Sequence, residues 1–123
     1  MKISIITSYT EPEERMDPWK ESVACYEKLA DEVIILGENF KKEFEFSDFG
    51  PMFDDGFNKA SGDWVIKMDI DTMIHEKDFD SLYTLMKTHN DYPALSMRKF
   101  QFFTPFRFHT KSRMGMVLNK KRF

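Results

Sequence analysis

"GDWVIKMDIDTMIHE", residues 62–76, runs from a glycine through a short apolar strand into two aspartates one residue apart. "DWVIKMDI" reads as a strong buried strand, which puts Asp69 and Asp71 at its carboxyl end. Positions i and i+2 of a strand point to the same side, so the two carboxylates converge if the extended conformation persists. Carboxylates about 4 Å apart repel by roughly 1–4 kcal/mol, and convergence therefore calls for a cation. Mg2+ or Mn2+ suits such a pair, because these ions take one or two carboxylates together with phosphate and water oxygens. The plain alternative is a structural strand end. Eleven aspartates in 123 residues give roughly one D-x-D by chance. A second pair, Asp78 and Asp80, opens a helix, where carboxylates cap free N–H groups and meet the positive end of the dipole.

On the amino side, "KISIITSY" (residues 2–9) and "EVIILG" (32–37) are β-branched runs that suit strands covered on both faces. Between them Asp17 is a candidate N-cap with Pro18 at the first helical position. Trp19, Val23, Tyr26 and Ala30 share one helical face. Strand, helix and strand at this spacing form a right-handed crossover between parallel strands. "EFEFSDF" (43–49) alternates as a short strand does. Phe49, Phe53, Phe57 and Ala60 recur at helical spacing, predicting a helix over 51–61 stopped by Gly62 and turned to the core. On the carboxyl side Asp78 caps a helix, "DFDSLYTLMKTHN", and "ALSMRKFQFF" (94–103) is a fourth strand. The remainder to Phe123 has no clear period. The pattern is α/β, an open and mainly parallel sheet flanked by helices, in one domain spanning 1–123.

Composition agrees. With 41% hydrophobic and 15% aromatic residues the chain can bury one core. No apolar run approaches the roughly 20 residues that span a bilayer. The basic start "MKISIIT" runs into acids without a cleavage site, so it reads as a strand. Cys25 alone excludes an intrachain disulfide framework, and cytoplasm is the default compartment. Net charge hides a polarity. Through Asp91 the chain holds ten Lys/Arg against 21 Asp/Glu, a balance of −11, whereas 92–123 carries eight basic residues and no acid. This basic, aromatic segment packs beside the acidic part or meets an anionic ligand, membrane surface or nucleic acid, the last two being the less favoured partners.

Other site classes fail on their own residues. There is no Gly-rich phosphate loop; Met73 and Ile74 stand where an EF-hand needs a ligand and a glycine; "HEKDF" lacks the second histidine of a zinc protease. "ISIITSYT", "DEVIILGE" and "NKASGDWVIKMDID" together resemble the N-terminal, nucleotide-binding half of a GT-A fold (Rossmann-like) glycosyltransferase, most like family 2. Ala60, Gly62, Asp63 and Trp64 match that family's lead-in to its D-x-D, and the likeness spans about residues 2–100. The resemblance implies a nucleotide-diphosphate sugar, UDP- or GDP-linked, as ligand. Thr7 and Tyr9 would line its base and ribose pocket, and Glu38 would stand for the family's base-contacting aspartate. Asp69 would face ribose or sugar hydroxyls, and Asp69 and Asp71 would hold Mn2+ or Mg2+.

Two departures shape the expectation. The family carries an acceptor-binding second half that supplies the catalytic base in inverting members, whereas here no carboxylate side chain follows Asp91. The domain is thus short or truncated. Glu76, Asp78 and Asp80 become candidates for the base, with His75 and His109 as further bases or ligands. Arg107, Lys111 and Arg113 are candidates to pair with phosphate. The expected function is metal-dependent glycosyl transfer; the alternative is a non-catalytic GT-A-like binding or assembly module acting with a partner. An incomplete fold with 13 phenylalanines is also expected to self-associate.

Overall fold

Three β-branched runs, Ile3–Ser8 (β1), Glu32–Leu36 (β2) and Trp64–Met68 (β3), pair in parallel with β1 in the middle. The computed structural model describes residues 1–37 and 46–123, and the side chains of all these except 46 and 111–115. Ala94–Thr104 (β4) and Arg107–Asn119 (β5) complete a five-stranded sheet of order β2-β1-β3-β5-β4. β5 runs antiparallel to both β3 and β4. The sheet is therefore mixed rather than mainly parallel.

The pleat sends alternate side chains to opposite faces, and each face has its own core. Ile3 and Ile5 of β1, Trp64, Ile66 and Met68 of β3 and Val117 of β5 pack against Tyr26 from the helix Trp19–Leu29 (α1). Leu82 and Met86 from the helix Phe79–Thr88 (α3) join them. On the other face Ile6, Leu36 and Val65 meet Met52 and the phenylalanine stripe Phe49, Phe53 and Phe57 of the helix Phe49–Lys59 (α2). Each such buried side chain contributes about 1.5–3 kcal/mol.

Helix ends differ from the sequence expectation because polar side chains are recruited elsewhere. Asp17 does not cap α1; its carboxylate accepts from Arg15 Nε at 2.8 Å, and Pro18 occupies the cap position. Asp78 makes no capping bond to α3 either. A 3-10 turn, Glu76–Asp78, precedes that helix, and His75 Nδ1 caps the turn by accepting from Lys77 N at 3.2 Å. α2 begins at Phe49 after a 3-10 turn at Phe46–Asp48, so the described part of "EFEFSDF" is not strand; residues 43–45 lie outside the described residues.

Gly62 has a role other than stopping a helix. Its N–H donates to the Ser4 hydroxyl at 2.8 Å, and that hydroxyl donates to Glu32 Oε2 at 2.5 Å. The same carboxylate accepts from Ser61 N at 2.9 Å and from the Ser61 hydroxyl at 3.0 Å. Asp63 Oδ2 accepts from Lys2 N at 2.8 Å. These bonds clamp the starts of β1, β2 and β3 together. The glycine is required by space: a Cβ at position 62 would stand 2.6 Å from Ser4 N and 2.8 Å from the Trp64 carbonyl.

Gly62→Ala is expected to lower stability by about 2–4 kcal/mol, since backbone rather than a flexible side chain must yield. Gly50→Ala, with nothing within 4 Å of its Cβ and a helical position, is expected to be neutral or stabilising by up to about 1 kcal/mol. Urea denaturation of the two variants measures the contrast.

The Ser4 hydroxyl and then the Ser61 N–H hold the Glu32 carboxyl below its ordinary value of 4.5, and the Lys2 N–H does the same for Asp63. A depressed folded-state value means that the stabilisation is complete above the unfolded value and is lost as pH falls through the folded one. Melting temperature is expected to hold steady above about pH 5 and to fall below it. Glu32→Gln should be less stable at neutral pH and show a shallower acid decline in the same thermal scans.

Candidate functional site at the carboxyl edge

β1 leads away to α1 and β2 on one side, while β3 leads away through α3 to β4 and β5 on the other. Strand order thus reverses between β1 and β3, and in open α/β sheets a crevice for ligands opens outside the carboxyl ends of such a pair. Tyr9 follows β1 at this edge and Asp69 follows β3.

The strand does not persist into the aspartates. β3 ends at Met68, and Thr72 N donates to the Asp69 carbonyl at 2.9 Å, closing a turn over residues 69–72. The two-residue period that predicted convergence therefore stops short of Asp69 and Asp71. Ile70, 3% exposed, pins the turn to the core while Asp69 is half-buried and Asp71 exposed.

Tyr26 of α1 holds this turn from below. Its hydroxyl directs one proton between the carbonyls of Asp69, at 2.8 Å, and Thr72, at 2.6 Å. Burial pushes the phenol far above its ordinary value of 10; the Ser22 and Thr7 hydroxyls beside it act the other way by favouring the phenolate. Those two hydroxyls are buried and otherwise without a hydrogen-bond partner.

Asp69 has a cationic partner within the chain. Lys67 Nζ donates to Asp69 Oδ1 at 3.2 Å, and the ammonium lies 4.6 Å from the centre of the Phe53 ring of α2. Asp71 Oδ1 accepts from the Thr72 hydroxyl at 3.2 Å, and among the described residues no cationic side chain pairs with it. Among the described residues no three His, Cys, Asp or Glu side chains gather to hold a metal.

The other nominated residues are dispersed. Thr7 is fully buried on the α1 face of β1 beside Tyr26, so its side chain does not line the crevice. Tyr9 is half-buried at the edge, with its ring edge-on to Trp19 at 5.2 Å and its hydroxyl donating to Glu13 at 2.5 Å. Glu38 lies outside the described residues. Glu76 pairs with Lys28 at 2.5 Å, and that bond holds its carboxyl below the ordinary range. Asp78 and Asp80 are exposed at the start of α3, and His75 is the turn cap described above.

His109 sits on β5 opposite Gln101, with its ring 4.8 Å from Phe103. It lies seven residues before Met116, which pairs with Lys67, and so stands about 20 Å along the strand from the end of β3. Arg107 is exposed near the hairpin turn; the side chains of Lys111 and Arg113 are outside the described set.

Sequence reasoning missed Tyr26 and Lys67. Tyr26 was legible only as one apolar position on a helix face, yet a buried tyrosine needs a partner for its hydroxyl, and that need was the available signal. Comparison of the chain with protein-family models, curated proteins and solved structures finds no match in any of the three.

Tyr26→Phe leaves the ring in place and frees two carbonyls, so it is expected to cost about 1–2 kcal/mol in global stability. The larger effect should be local. Hydrogen exchange at the Thr72 amide is expected to accelerate more than at amides of β1 or β3, because the turn loses its anchor while the core keeps its packing.

Proposed function

We propose that the crevice between β1 and β3 binds a nucleotide-diphosphate sugar, carrying UDP or GDP, with Mn2+ or Mg2+, as the nucleotide-binding part of a GT-A-like, metal-dependent glycosyltransferase. The observation that carries this reading is the Asp69–Thr72 turn. It stands at the reversal of strand order, is fixed by Ile70 and Tyr26, and turns Asp71 to solvent.

In this reading Asp71 and the remaining oxygen of Asp69 hold the metal, whose contribution when bound is to offset charge on the departing diphosphate. Asp69, oriented by Lys67, faces ribose or sugar hydroxyls. The Tyr9 and Trp19 rings give the edge an apolar wall against which a base can stack. Transfer breaks the bond from the anomeric carbon to the diphosphate and forms one to an acceptor hydroxyl, whose proton passes to a general base. Glu76 is held ionised by Lys28, which weakens it as a base, and Asp78 is the freer carboxylate at that end of the turn.

One observation favours the alternative of a non-catalytic GT-A-like module acting with a partner. β4 and β5 run out of the sheet beside the crevice as an exposed, apolar and cationic ribbon suited to meeting a partner.

Calorimetric titration of UDP and GDP, with and without Mn2+, separates these readings. Metal-dependent binding is expected in the wild type, reduced at least about tenfold in Asp71→Ala, which removes a metal ligand without a core contact. Sugar release from UDP- or GDP-sugars then distinguishes transferase from binding module. A folded protein that binds neither nucleotide would end the nucleotide-sugar proposal and leave Asp69 and Asp71 as a structural turn.

A further inference from the structure

Only Met116–Asn119 of β5 pair with β3, and the ladder between them stops at Lys67. Because β5 is antiparallel to β3, its residues before Met116 continue past the carboxyl edge of the parallel strands. Among the described residues their sole strand neighbour there is β4, and no strand pairs with the outer edge of β4. A two-stranded arm thus leaves the sheet beside the Asp69–Thr72 turn and runs up to about 30 Å along its contour. Register shifts lie at Met97/Lys99, where it leaves the sheet, and at Phe102/Thr104, next to the Pro105–Phe106 turn. Bulges of this kind bend and twist a ribbon.

The arm is apolar and cationic at once. Phe100, Phe102, Phe103, Phe106 and Phe108 are 53–92% exposed, with Phe106 at the tip the most open. Phe108 meets Phe100 and Phe102 at 5.4 Å, and this cluster helps the two strands stay together, since a lone hairpin is marginal in water. Arg98, Lys99 and Arg107 form no ion pair among the described residues. The body of the same chain carries the opposite charge, −11 through Asp91. At its carboxyl edge Glu11, Glu14 and Asp71 are exposed and lack a cationic partner among the described residues.

We propose that the arm docks on the acidic carboxyl edge of a second copy of this chain, reciprocally, to form a two-fold dimer. A second copy fits better than an anionic lipid or nucleic acid, because the −11 body travels with the arm and is repelled by such surfaces while it attracts another arm. Side-by-side pairing of two arms is disfavoured by the same arithmetic, since it would bring their Arg and Lys residues together. The two-fold symmetry lets each acidic edge receive one arm. Each exposed phenylalanine has on the order of 100 Å² to bury, so two arms supply about 1,000 Å² from these rings alone. A specific interface needs roughly 1,200–2,000 Å² in total, which the covered edges complete. The inference rests on the arm and the charge distribution, and it stands whether or not the crevice binds a nucleotide.

Sedimentation equilibrium of the full chain tests it. The wild type is expected to dimerise, with dissociation weakened at least about tenfold between about 50 mM and about 500 mM salt. Arg98→Glu/Arg107→Glu, on the arm, and Glu11→Lys/Glu14→Lys, on the body, should each be monomeric with melting temperatures close to wild type. Mixed together they should form heterodimers, because both docked arms then face opposite charge. Phe102→Ser/Phe106→Ser/Phe108→Ser should also be monomeric. A wild type that stays monomeric to about 100 μM overturns the proposal. So does a dimer that survives both charge reversals, or a mixture of the two variants that fails to associate. Binding of the monomer to phosphatidylserine vesicles or to a single-stranded oligonucleotide, without dimerisation, would reassign the arm to that surface.

Discussion

Side-by-side parallel pairing of β1 and β3 is the constraint from which the other features descend. Residues 3 and 64 are far apart in sequence, and closing so long a loop costs chain entropy that local contacts do not repay. Two devices hold the pair. The core on both faces supplies the bulk of the free energy, and the cluster of Ser4, Glu32, Ser61 and Gly62 sets the register at the amino ends. A one-residue slip would turn every buried side chain of β3 to the wrong core, so the clamp fixes which residue ends the strand. That in turn fixes where the turn at Asp69 begins.

The same clamp changes what the lead-in to the D-x-D means. Ala60, Gly62, Asp63 and Trp64 carried much of the resemblance to nucleotide-sugar enzymes, yet each has a local structural reason. Ala60 and Trp64 are buried, Gly62 has no room for a Cβ, and Asp63 binds the Lys2 N–H. They stand at the amino end of β3, away from the crevice. Their match speaks for the strand pairing of an α/β sheet, and the chemical part of the likeness reduces to Asp69, Asp71 and the turn that presents them.

The parallel strands and the three helices were legible because burial on two faces forces continuous apolar runs, and burial on one forces helical spacing. β5 was not legible, for a physical reason. Among its described apolar side chains only Val117 and Leu118 are buried, and most of the strand belongs to an arm whose described side chains are exposed, so no alternation of buried and exposed positions marks it in the sequence. Convergence of the two aspartates was conditional on the strand extending through them, and the last ladder pair, at Met68, comes before Asp69. Helix caps failed differently. Asp17 had the right chemistry for a cap, but Arg15 two residues earlier competes for its carboxylate, and such competition is invisible until the loop is folded.

Charge ties the crevice to the arm. The cations at the carboxyl edge, Lys67 and Arg15, are already matched to Asp69 and Asp17, and Glu11, Glu13, Glu14 and Asp71 add negative charge around them. An unassisted diphosphate entering here would meet repulsion. Under the nucleotide-sugar proposal positive charge would come from a divalent ion; under the docking proposal it comes from the arm, whose Arg98, Lys99 and Arg107 lie beyond this edge. The arm leaves the sheet from this same edge, so an arm docked there by a second copy, as proposed, would offset the negative charge of that surface. The acidic edge and the basic arm carry opposite charge, which is the observation the docking proposal rests on. The even mixing of charge expected of a solvated surface is absent from the sequence, with all 21 acids at or before Asp91 and eight Lys/Arg after it.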